Sequence, residues 1–135
     1  MQNSQYLRIN DHRHVAWIAT FVALSWLGEY FHNRAELAQL GLLSPENSFM
    51  ALLAIGLFLL WWRLPNSKIP AVLLLVLGMV HLLGGGVISV LPLKFLPFYP
   101  EQSLQHYLSH ILYGLVQLPL IIAMTWQIRQ FPRPA

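Results

Sequence analysis

Four long apolar runs fill most of the chain, separated by short polar or proline-rich stretches. A transmembrane helix needs about 20 mostly apolar residues, within a range of about 17 to 25. The runs at about 15–31, 49–64, 70–90 and 104–127 meet or approach that length. The pattern predicts an all-α integral membrane protein, a single domain over residues 1–135 folded as an up-down-up-down four-helix bundle. A membrane barrel would need alternating segments of about ten residues, and the chain has none.

Prolines and tryptophans punctuate the runs. Pro70 suits a first helical turn, where its missing N–H costs nothing. Pro65 and Pro92 suit helix ends. Pro119 lies inside the fourth run and predicts a kink, because it removes one backbone bond. Trp17, Trp61, Trp62 and Trp126 sit near run ends, the pattern of residues at a membrane interface.

Basic residues set the orientation. Arg8, Arg13, Arg63, Lys68, Arg129 and Arg133 fall in the N-terminal arm, the second loop and the C-terminal tail. The other two loops hold only Arg34 and Lys94. This asymmetry predicts cytoplasmic termini. The first loop, about 33–48, and the third, about 91–103, then face outward. The third combines Pro92, Pro97 and Pro100 with Phe95, Phe98 and Tyr99, a stiff aromatic loop expected along the membrane surface. The first run follows a polar arm and lacks a small-residue cleavage site, so it reads as a retained anchor.

Composition agrees with lipid as solvent. The chain is 56% hydrophobic and 10% charged, against about 25% charged in a typical soluble domain. The absence of cysteine excludes disulfides, thiolate metal sites and cysteine nucleophiles. The net charge of +3 comes with no basic run, so nucleic-acid binding has no support.

Ionisable side chains in hydrocarbon are costly, so they mark where function is sought. His106 and His110 are four apart and share a helical face. A His-x-x-x-His pair can chelate zinc, iron or copper, although two histidines near a helix entrance also simply solvate an interface. His81 lies near the middle of the third run, followed by Gly84-Gly85-Gly86. It reads equally as a ligand or as an interhelical hydrogen-bonding residue. The glycines allow close backbone approach or make room for a flat cofactor. Glu29 and His32, three apart, form a single Glu-x-x-His pair. Di-metal bundle sites use that spacing in two copies, and Glu29 alone can instead snorkel to water. His12 and His14 fall in the polar arm and are expected to be solvated.

With alternating helix directions, Glu29, His32, His81, His106 and His110 all fall in the outer half of the bundle. Ser-His-Asp catalysis lacks an embedded Asp, and H-E-x-x-H is absent. A two-haem arrangement would need axial histidines far apart in depth. One b-type haem between His81 and His110 remains open.

His81-x-x-Gly84, a proline-containing loop, and then His106-x-x-x-His110-x-x-x-Gly114 resemble part of a family of small bacterial inner-membrane proteins of unknown function. In that family an His-x-x-Gly helix precedes an Asp-x-x-x-His-x-x-x-Gly helix. The resemblance covers about 35 residues of the C-terminal half. His106 stands where the family has Asp, and Leu82 where it has Glu. It implies a membrane fold, an inner-membrane location and a histidine-centred site, without a reaction.

The leading expectation is thus a multi-pass inner-membrane protein with a transition-metal or proton-handling site in its outer half. His81, His106 and His110 are the first candidate ligands, and Glu29 and His32 the second. No pattern selects a redox or a hydrolytic reaction. The alternative is a non-enzymatic membrane subunit that packs against a larger complex or binds one b-type haem for electron transfer, and a third option is a small transporter or channel component working as a homo-oligomer.

Overall fold

The computed structural model describes residues 12–131 apart from Ala38, Leu96 and Phe98. The expectations for Arg8, Arg133 and Phe98 therefore lie outside the described residues. Within them the chain is all-helical: α1 (His12–Glu36), α2 (Pro45–Arg63), α3 (Lys68–Val80) and α4 (Leu104–Gln130), with no strand among the described residues. α3 passes directly into a π-helical segment, His81–Val87, and then a 3-10 turn, Ile88–Val90.

Local sequence explains the ends. Pro45 opens α2, where a proline lacks only an N–H that would have no helical partner. Ser67 caps α3 by accepting from the Ile69 N–H. Ser103 caps α4 by accepting from the His106 N–H at 3.2 Å. Each cap satisfies one of the orphan donors of a helix start. α1 continues one turn past its apolar run and ends at Glu36, because Arg34-Ala35-Glu36 are all favourable helix formers. α4 runs through Pro119 as one helix.

The four helices pack in a ring: α1 on α2 and α4, and α3 on α2 and α4. The core is Ile18, Val22, Ala54, Trp61, Ala71, Leu74, Leu77, Leu120 and Met124. Among the described residues, three helical rods are long and apolar enough to cross a membrane: Pro45–Arg63, Lys68–Val90 and Leu104–Gln130, with mean hydropathies of 1.3, 2.4 and 1.6. α1 is not among them. Its 25 residues include Arg13, Glu29, Arg34 and Glu36.

Polar ties join the helices inside this core. The Ser25 hydroxyl on α1 donates to Gln117 Oε1 on α4, and Gln117 Nε2 donates back to the Ser25 carbonyl at 3.2 Å. Asn47 accepts from Asn33 Nδ2 at 2.8 Å and donates to the Gly41 carbonyl at 2.9 Å. Trp61 lies near the end of α2 with its side chain turned into the bundle. It is 2% exposed, and its indole N–H donates to Gln127 Oε1 at 2.9 Å. A buried indole N–H needs an acceptor, and Gln127 supplies it from the facing helix. Trp17, Trp62 and Trp126 are exposed. His14 is half-buried rather than fully solvated, with its ring 5.7 Å from that of Trp61.

Candidate metal centre

The site forms where the last turns of α1 face the first turns of α4. His32 and Glu36 are four apart on α1, so they lie on one face. His106 and His110 form the matching pair on α4. The imidazoles of His32 and His110 meet edge to face with centroids 4.3 Å apart, and those of His106 and His110 at 4.4 Å. One ligand atom each from His32, Glu36 and His110 lies within 4.8 Å of the other two. Tetrahedral coordination at about 2.0–2.2 Å places ligand atoms roughly 3.3–3.6 Å apart. The separations of up to 4.8 Å are wider than that, so side-chain rotation would be needed to bring the three onto one ion.

The outer hydrogen bonds favour that use. His110 Nδ1 lies 2.5 Å from the carbonyl oxygen of Gly85 on the π-helical segment. A carbonyl only accepts, so Nδ1 carries the proton and Nε2 keeps its lone pair. The Ser89 hydroxyl donates to the same carbonyl at 2.6 Å. His106 Nδ1 donates to both oxygens of Glu36 at 2.9 Å. The Ser109 hydroxyl donates to Glu36 Oε1 at 3.1 Å. These are the contacts that fix tautomer and carboxylate orientation around metal ions.

What the inner atoms lack is equally informative. Among the described residues, His110 Nε2, His106 Nε2 and His32 Nδ1 are buried without a hydrogen-bond partner. Buried polar atoms are normally paired, and an orphan calls for an explanation such as an ion. The orphaned nitrogens of His32 and His110, both in the ligand set, fit metal ligation.

The remaining candidates sit deeper. His81 is buried and both of its ring nitrogens are unpartnered. It faces inward and towards α4, but the ring it meets is Tyr113, at 6.0 Å. It is not part of the His32, Glu36 and His110 set. Glu29 is buried, with Oε2 unpartnered, rather than snorkelling to the surface. Tyr113 stacks on His32, with centroids 4.9 Å apart and rings nearly parallel.

Two glycines of the triplet, Gly85 and Gly86, are used for close approach. A Cβ on Gly85 would fall 2.2 Å from Tyr113 Cε1, and one on Gly86 would fall 3.2 Å from Gly114 Cα. The π-helical turn and these two glycines together let the Gly85 carbonyl reach His110. π-Helical turns recur at functional sites.

Glu36 is the member that the apolar pattern did not reveal. It lies past the end of the first apolar run, and only a helix extended by one turn places it four residues after His32. The charged Arg34-Ala35-Glu36 continuation was the available signal.

No family model matches the chain, and no curated protein or solved structure was found similar to it.

Proposed function

We propose that the chain is a multi-pass membrane protein that binds one transition-metal ion at the outer end of its bundle. His32, Glu36 and His110 are the ligands, and His106 orients Glu36. The observation that carries this reading is the convergence of the three ligand atoms within 4.8 Å, beside buried imidazole nitrogens that lack partners. Two imidazoles and a carboxylate suit zinc or non-haem iron and leave at least one position open to water or a substrate. An ion there would supply Lewis acidity. The chain's own contribution is to hold the His32 and His110 imidazoles in place and to set Glu36 between His106 and those two ligands.

Membrane insertion is supported by the exterior of the helices. Only 17%, 28% and 33% of the most apolar windows of the three long rods are buried, which leaves far more apolar surface than a water-soluble monomer exposes. The basic residues support cytoplasmic termini and an up-down-up-down bundle in the inner membrane, with the site on the far side.

A proton-handling site without metal is the second reading, favoured by the His106–Glu36 pair. The single b-type haem draws less support, because Tyr113 and Gly114 fill the space beside Gly85 and Gly86. Elemental analysis and an optical spectrum of detergent-purified protein separate the three. Bound zinc, iron or copper without a Soret band supports the metal centre, a Soret band the haem, and neither the proton site.

A further inference from the structure

Beside the cluster, where the end of α1 meets the start of α4, lies a cleft of about 130 Å³. Its walls are Ala35, Glu36, Glu101, Ser103, Gln105, His106 and Ser109. Two carboxylates face it, and among the described residues no lysine or arginine lines it. Glu36 belongs to both the cleft and the ligand set, and its side chain is 29% exposed while that of His106 is 6% exposed. The carboxylate is thus the point at which the buried imidazoles meet water.

We infer that this cleft is the loading port of the metal centre, taking a hydrated divalent cation from the outer aqueous side and passing it to His32 and His110 through Glu36. The inference rests on the metal-centre reading above. Charge decides the sign of the ligand: Glu36 and Glu101 attract a cation and repel phosphate or carboxylate anions. Chemistry decides the destination: behind the carboxylates, His106 and His110 are more than nine-tenths buried with their Nε2 atoms unpartnered. Geometry decides the route. The flanks of α3 and α4 are apolar, and a hydrated divalent ion entering there would cross hydrocarbon. The cleft offers hydroxyl, amide and carboxylate oxygens instead. Glu101 has no role in the ligand set, so its charge can be removed without altering coordination.

Stopped-flow mixing of the full chain in nanodiscs with Co²⁺, followed by cobalt absorption, tests this. In Glu101→Gln the association rate should fall roughly three- to ten-fold at low salt. The difference should shrink at high ionic strength, with the dissociation rate and the absorption spectrum unchanged. Ala35→Trp, which fills the cleft from an exposed position, should slow association and dissociation together and leave the equilibrium affinity unchanged. Wild-type rates in both variants would overturn the port while leaving the metal centre standing. A wild-type chain that takes up no Co²⁺ overturns the metal centre itself, and the port with it.

Discussion

The Nδ1 of His110 lies 2.5 Å from the carbonyl oxygen of Gly85, so the orientation of the α4 imidazole is set by the π-helical end of α3. The contact exists because residue 85 has no side chain. Gly85→Ala should drive its new Cβ into Tyr113, at 2.2 Å before relaxation. Overpacking of this kind costs about 1–3 kcal/mol. The expected outcome is a lower unfolding midpoint in detergent together with weaker metal binding. Gly84→Ala, where nothing lies within 4 Å, should change neither.

His106 touches Glu36 through Nδ1 and is assigned an orienting role. His106→Ala should weaken metal binding by about 10- to 100-fold without abolishing it, the usual effect of removing an outer partner of a ligand. Isothermal titration against His110→Ala, which removes a ligand, separates the two roles. Equal losses in the two variants would make His106 a ligand as well.

The Trp61–Gln127 pair ties α2 to α4 deep in the bundle. Gln127→Leu leaves the indole N–H unsatisfied and should cost about 1–3 kcal/mol of stability. Adding Trp61→Phe removes the orphan donor and should recover part of that loss. Thermal unfolding of the two single variants and the double variant checks the sign of this coupling.

Reporter fusions test the orientation. A fusion after Arg129 should read cytoplasmic and one in the first loop should read external. An external C-terminus would place the His32–His110 cluster on the cytoplasmic side and remove the outer port.

The helical architecture was legible because run length and proline placement dictate it. The ends of α1 were less so: the helix outlasts its apolar run, and Glu36 is visible only once that extra turn is counted. On α4, His106 and His110 announced themselves by spacing alone. Their roles did not follow from that spacing, because His106 meets Glu36 and His110 meets a carbonyl, and a carbonyl has no sequence identity. His81 looked equivalent to them in depth, but the ring it meets is Tyr113 on α4. For Trp61, position near a run end did not reveal which way the side chain rotates.

The most direct measurement is the metal-to-protein ratio of the purified chain and of its His32→Ala, Glu36→Gln, His110→Ala and His81→Ala variants. The account predicts about one equivalent in the wild type, loss of most of it in His32→Ala and His110→Ala, weakening in Glu36→Gln, and retention in His81→Ala. A wild type without metal would contradict it, as would His32→Ala and His110→Ala variants that hold as much metal as the wild type.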